Sequence, residues 1–288
     1  MDYRQTLDYL YGLQRFGIKL GLENVRTLLA RLGHPEAGYR IAHVAGTNGK
    51  GSVCAALAEI LGRTGSRVGL YTSPHLHSFT ERIRIDGEPI AEEDVVALTR
   101  LLRPLVADLP ITFFEFTTAL ALLHFQRQKV DFTVLEVGMG GRLDATNTVM
   151  PQVTVITPVC FDHAEHLGAD LATIAAEKGG IIKPGVSLVL GRQDKAAERA
   201  LTAMAAERRA PVLLCGRDFS VSSVDGGFSF RGFGLKLEGL RPGLEGAHQH
   251  ENLALALAAA ALLGRQGAEV TPEALREGVS AVRWPGRL

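Results

Sequence analysis

Two periods of hydrophobic spacing alternate along this chain. Residues 40–44 (Arg-Ile-Ala-His-Val) make a short apolar run, and residues 52–61 then carry apolar side chains at helical spacing. The alternation continues. Short apolar runs rich in β-branched residues predict buried strands at 67–71, 132–137, 153–157, 187–190 and 212–214. Helical periodicity predicts helices at 3–11, 24–32, 92–105, 114–129, 171–181, 195–208, 251–263 and 272–279. Strands alternating with helices predict a doubly wound, mostly parallel α/β sheet, with ligands at the carboxyl ends of the strands.

Two segments depart from this scheme. Asp86-Gly87 in the middle of residues 82–90 predicts a hairpin. From 219 to 240, short alternating runs split by Asp225-Gly226-Gly227 and by Gly232 predict a small antiparallel appendage. Residues 253–263 are strongly apolar but far short of the ~20 residues that span a bilayer, so they predict a buried helix. No internal repeat stands out.

Charge and composition narrow the partners. Lys+Arg and Asp+Glu both total 31, so no global field draws the chain to nucleic acid or to a membrane surface. At 288 residues and 46% hydrophobic the chain can bury a sizeable core. Cys54, Cys160 and Cys215 lie far apart without C-x-x-C spacing, against both a disulfide framework and a zinc cluster. The charged start, Met1-Asp2-Tyr3-Arg4-Gln5, lacks the apolar core of a signal peptide, and a cytoplasmic location is expected.

The strongest candidate for chemistry joins the first strand to its helix: Gly46-Thr47-Asn48-Gly49-Lys50-Gly51-Ser52. Glycines let backbone N–H groups turn toward an anion, and the helix adds the positive end of its dipole. Lys50 would meet the β/γ-phosphates of ATP, and a hydroxyl just after it would reach Mg²⁺. The common G-x-x-x-x-G-K-[ST] pattern would need glycine at 44 and a hydroxyl at 51, where this chain has Val44 and Gly51, with Ser52 one place on. The competing reading is an ordinary Gly-rich turn with a solvated lysine.

Other candidates are individually ambiguous. Glu136 ends a strand before Gly138-Met139-Gly140-Gly141 and reads as a turn-capping carboxylate or as a metal ligand. Those glycines are not a dinucleotide fingerprint, because Leu143 stands where G-x-G-x-x-G needs its last glycine. His163 follows another strand end and reads as solvated or as a ligand in the same crevice. Asp162-His163…His166 lacks the H-E-x-x-H zinc pattern, and oxygen ligands with one imidazole suit Mg²⁺ at a nucleotide better. Taken alone, Ser73 is a turn serine before Pro74, Lys178 a solvated lysine beside Glu177, and Asn252 a helix cap.

The loop G-T-N-G-K-G-S resembles that of the Mur ligase superfamily and, within it, the folylpolyglutamate synthase/dihydrofolate synthase family. Ser73-Pro74-His75-Leu76 with Thr80-Glu81-Arg82-Ile83 is similar to the family's S-P-H-L…E-R-I. Residues 135–147 resemble its E-V-G-x-G-G-R-x-D-A-T-N signature. Asp162-His163, Leu167-Gly168 and Glu177-Lys178 follow in the family's order, and Trp284-Pro285-Gly286-Arg287 is similar to W-P-G-R. Several motifs in one order are far more specific than a single glycine loop.

The resemblance implies a ligand set and a reaction. ATP would be held by Gly46 to Ser52, with Asn252 at the base and Arg287 at a phosphate. Ser52, Ser73, Glu136 and His163 would hold Mg²⁺, and Lys178 would be carbamylated, in a segment where Gly179 replaces the family's usual alanine. Leu143, Asp144 and Ala145 would lie near the acceptor substrate, with Glu115 and Gln14 as weaker candidates. His75, His77 and Phe79 would belong to a loop closing over a pterin-bearing substrate. The implied catalytic residues are Lys50, Lys178 and His163.

The implied activity is ATP-dependent addition of L-glutamate to a folate or to dihydropteroate through an acyl phosphate, by a monomer. Residues 1–288 would form the ATP-binding region, with the family's C-terminal domain and its D-x-A-H-N segment lacking. A nucleotide-binding module without turnover is therefore one alternative. A cell-wall Mur ligase is another, which S-P-H-L…E-R-I and D-A-T-N disfavour.

Overall fold

The computed structural model describes residues 1–16, 21–161, 170–224 and 226–286. Eight short strands form one sheet: β1 (Arg40–Ala45), β2 (Val68–Tyr71), β3 (Ile83–Ile85), β4 (Glu88–Pro89), β5 (Phe132–Glu136), β6 (Val153–Ile156), β7 (Ser187–Leu190) and β8 (Val212–Leu214). Their order is β4-β3-β2-β5-β1-β6-β7-β8. All pairings from β2 to β8 in that order are parallel, while β3 and β4 add an antiparallel edge. Strands succeed one another to either side of β1, so the loop leaving its carboxyl end opens onto the crevice where such sheets bind ligands.

The described helices are α1 (Tyr3–Gly12), α2 (Glu23–Arg31), α3 (Lys50–Gly62), α4 (Glu92–Leu102), α5 (Phe113–Arg127), α6 (Leu171–Gly179), α7 (Lys195–Glu207), α8 (His248–Arg265) and α9 (Pro272–Ala281). Alternate residues of β1 serve opposite faces, as the pleat requires. Ala42 and Val44 join a core with Val53, Leu57 and the alanines of α8. Ile41 instead joins an aromatic core with Tyr71, Phe79, Phe116 and Phe125, and Ala45 a third, under α6 and α7, with Ile174 and Leu201.

The appendage expected at 219–240 is a three-stranded antiparallel sheet of β9 (Phe219–Val224), β10 (Gly227–Gly232) and β11 (Leu235–Leu240). Phe228, Phe230 and Leu237 share the α8 core. The alanine-rich α8 is consequently buried on all sides, which explains an apolar run with no polar stripe.

Helix boundaries depart from the sequence expectation where caps or prolines intervene. α3 starts at Lys50, because Gly49 in the left-handed region acts as its N-cap. The stretch expected as one helix over 92–105 splits into α4 and a 3₁₀ turn at Arg103–Val106, which contains Pro104. α8 starts at His248, so Asn252 lies inside the helix and is not its cap. The predicted hairpin is present, with Asp86 (φ 51) and Gly87 (φ 86) both left-handed, as a two-residue turn between twisted strands requires.

Candidate active site

The phosphate loop is shaped by glycine and pinned from the side. Gly46 (φ 140) and Gly49 (φ 86) occupy backbone regions that L side chains avoid. A Cβ at Gly46 would lie 1.8 Å from Thr157 Oγ1, and one at Gly49 would lie 2.2 Å from Asn252 Oδ1. Thr47 N–H donates to Pro158 O, and the Thr47 hydroxyl donates to Cys160 O. No side chain caps the first turn of α3, which leaves its N–H groups and dipole available to an anion. Lys50 is half-buried and folds back, its Nζ donating to Gly46 O (3.1 Å) and Thr47 O (2.9 Å).

Glu136 and Lys178 converge on this loop. Glu136 ends β5 opposite Val44 of β1 and is buried; its Oε2 accepts from the Ser73 N–H at 3.0 Å. Lys178 is 2% exposed, with Nζ donating to Gly46 O at 2.9 Å. The solvated-lysine reading of Lys178 is thereby overturned. Two glycines allow the approach: a Cβ at Gly141 would lie 2.9 Å from Glu177 O, and one at Gly180 would lie 2.3 Å from Arg142 Cα. Glu177 points away and pairs with Arg142 at 3.0 Å. Gly179 packs against α7, where a Cβ would meet Met204 Sδ at 2.8 Å.

Ser73, Glu136, His75, Arg84 and Trp284 border a pocket of about 190 Å³. Trp284 rests on α3, its Nε1 2.8 Å from where a Gly51 Cβ would stand, and the Arg84 guanidinium lies 5.6 Å from its ring centre. The segment 75–79, expected as a loop closing over a substrate, is anchored at its end. Phe79 is a core anchor, and Glu81 accepts from the N–H groups of Leu76, His77 and Ser78. Those donors hold its carboxyl down at about 2.

The expected acceptor residues divide by role. The Asp144 carboxylate is buried and accepts from the N–H groups of Gly138, Met139 and Thr146 and from the Thr146 hydroxyl. It braces the turn that follows Glu136. Burial pushes its pKa up, against the lowering effect of those donors. Leu143 is half-buried, Ala145 joins the aromatic core, and Gln14 is exposed beyond α1. Glu115 is buried in a capping box, with Thr112 N–H donating to Glu115 Oε2 at 2.8 Å. Asn252 donates from Nδ2 to Gln249 Oε1, which leaves its Oδ1 facing Gly49. His163 and Arg287 lie outside the described residues.

Sequence reasoning passed over three contributors. Gln249 orients Asn252. His43, fully buried on β1, shares a hydrogen bond with Thr146 Oγ1 at 2.8 Å. Arg82 is a buried guanidinium beside His75. The E-R-I resemblance was the only sequence signal for Arg82, and nothing local marked the other two.

Comparison with known proteins matches residues 44–260 to the Mur ligase middle domain. The chain is 40% identical over 300 residues to the dihydrofolate synthase/folylpolyglutamate synthase of Bacillus subtilis, covering 99% of this chain and 70% of that protein. It belongs to this family of ligases. The apo form of L. casei FPGS superposes with a TM-score of 0.95 at 36% identity, covering all of this chain and 73% of that one. An FPGS complex with AMPPCP and folate superposes at 0.93, also with 36% identity and 73% of that chain covered.

The donor chemistry of this ligase fits a hard cation. Glu136 offers a buried carboxylate and Ser73 a hydroxyl on one pocket wall, with Ser52 at the start of α3. Carboxylate and hydroxyl oxygens suit Mg²⁺. Among the described residues no group of three or more His, Cys, Asp and Glu gathers as a metal cluster, and no helix is long and apolar enough to cross a membrane.

Proposed function

We propose that this chain ligates L-glutamate to a folate, and to dihydropteroate as well, at the expense of ATP. The observation that carries the reading is the convergence of the variant phosphate loop, buried Glu136 and buried Lys178 at the carboxyl ends of β1 and β5. The γ-phosphoryl group passes to the acceptor carboxylate, giving an acyl phosphate and ADP. The amine of glutamate attacks the acyl carbon, and phosphate leaves.

The chain's own groups serve that sequence by position and charge. First-turn N–H groups of α3 and the Lys50 ammonium stabilise negative charge on the transferred phosphoryl oxygens, once Lys50 swings from Gly46 and Thr47 to the nucleotide. Asn252, oriented by Gln249, meets the base. Glu136, Ser73 and Ser52 would hold Mg²⁺, with His163 from the resemblance as a further ligand. When bound, the cation neutralises phosphate charge and orients the γ-phosphoryl group. Lys178, modified to a carbamate, would add a carboxylate beside the phosphate loop. We further assign the protein to the cytoplasm, as a monomer.

The test is direct. Phosphate release that requires glutamate together with folate or dihydropteroate supports the assignment, and release with a UDP-muramoyl substrate points to a cell-wall ligase. ATP binding without turnover on any of the three points to a nucleotide-binding module. The intact mass of the protein held in bicarbonate and Mg²⁺ should include one added carboxyl group, absent from Lys178→Ala.

A further inference from the structure

Arg82 is a buried cation whose side chain meets a ring nitrogen and an aromatic face. It ends the turn before β3 and is 8% exposed. Its Nε–H donates to His75 Nδ1 at 2.7 Å, and its guanidinium carbon lies 5.3 Å from the centre of the Phe113 ring. Among the described residues no carboxylate pairs with it. Glu81, its neighbour in sequence, borders the same pocket as His75 and spends its oxygens on the backbone of residues 76–78. A guanidinium does not lose its proton, and a desolvated cation without a counter-charge is costly. That cost is offset when an anion arrives.

The same geometry supplies a second donor. His75 Nδ1 accepts from Arg82, so the neutral ring carries its proton on Nε2. His75 borders the pocket that also contains Ser73 and Glu136. The Arg82 backbone is tied there too, since its carbonyl accepts from Thr72 N–H at 3.0 Å. A planar guanidinium and an imidazole N–H make a matched grip for a carboxylate, in which one oxygen is held and the other stays open to react.

We propose that Arg82 and His75 form a carboxylate subsite that grips the acid end of the acceptor, the group that becomes phosphorylated. This rests on the ligase reading above and adds its specificity determinant. The aromatic wall of Phe79 and Phe113, 6.2 Å apart edge to face, shields the grip from water and strengthens it.

Binding of folate and of its γ-carboxamide, measured by calorimetry with AMPPCP present, tests the subsite without turnover. The wild-type protein is expected to prefer the acid on the order of 100-fold, the scale of a buried charge-assisted pair. Arg82→Gln should reduce that preference to about threefold while AMPPCP affinity holds, and Arg82→Lys should keep part of it, as a charge without the fork. His75→Ala, at a half-buried loop position, should cut the same preference several-fold and guards against an Arg82 variant that fails to fold. Equal weakening of acid and amide, or an unchanged preference in both variants, would overturn the subsite and leave the ligase reading standing. A wild-type protein that binds neither compound would overturn both.

Discussion

The two halves of the crevice are built from different materials. On the proposed nucleotide side, main-chain geometry dominates: a loop bent by Gly46 and Gly49, an uncapped helix start, and a floor of valine and alanine. On the proposed acceptor side, side chains dominate: Tyr71, Phe79, Phe113 and Phe116 in one aromatic core, with Arg82 set into it. Backbone geometry of this kind tolerates almost no substitution at the glycines. An aromatic core tolerates exchange by shape, yet each ring carries a large share of stability. The nucleotide half should therefore fail by losing affinity, and the acceptor half by losing stability.

Phe116→Ala gives the largest expected effect. The ring is fully buried, 5.7 Å edge-on from Tyr9, and its loss should cost about 3–5 kcal/mol in denaturant unfolding. ATP affinity of the folded fraction should be unchanged; a parallel drop in affinity would break the division between halves. Lys50→Ala should do the reverse. Affinity for Mg-ATP should fall on the order of 100-fold by calorimetry, the scale of hydrogen bonds to a charged group, with little change in melting temperature. Wild-type affinity in this variant would remove the phosphate-loop assignment.

His43 sharpens the comparison, because it lies on the strand that both halves share. Burial pushes its imidazole down to about 3 from the ordinary 6.5. Below pH 6.5 the unfolded chain takes up a proton there that the folded chain refuses. The resulting loss of stability, about 1.4 kcal/mol per pH unit, runs from 6.5 down toward 3 and vanishes above 6.5. His43→Gln, which keeps a donor for Thr146, should fall less steeply in that window when unfolding is followed at several pH values. Identical slopes would mean that His43 is protonated in the fold.

What the sequence disclosed follows the range of the interactions. The strand–loop–helix unit, the hairpin at Asp86-Gly87 and the antiparallel appendage are local, and each was readable from periodicity and turn residues. The capping box of Thr112 and Glu115 is equally local, and it is the contact the fold shows for Glu115. The environment of Lys178 is not local. Its ammonium meets Gly46, 132 residues away in sequence, so a lysine near a helix end looked solvated until the sheet order brought the two together. The partners of Arg82 are close in sequence, yet its burial depends on Phe113 from a different element. Asn252 was singled out by the family resemblance, while its orientation came from Gln249 one turn earlier, inside a helix that starts sooner than its apolar run.

The glycine at 179, which looked like a mild departure in sequence, has a partner. A methyl group there would collide with Met204 across the α6–α7 contact, and Met204 is a flexible filler. The two positions share a single volume. A chain of this fold with alanine at 179 should carry a shorter side chain, or a turned methionine, at 204. Gly179→Ala combined with Met204→Ala should then pack better than either change predicts by itself, so the helix bearing Lys178 is registered against its neighbour by the sum of two side chains.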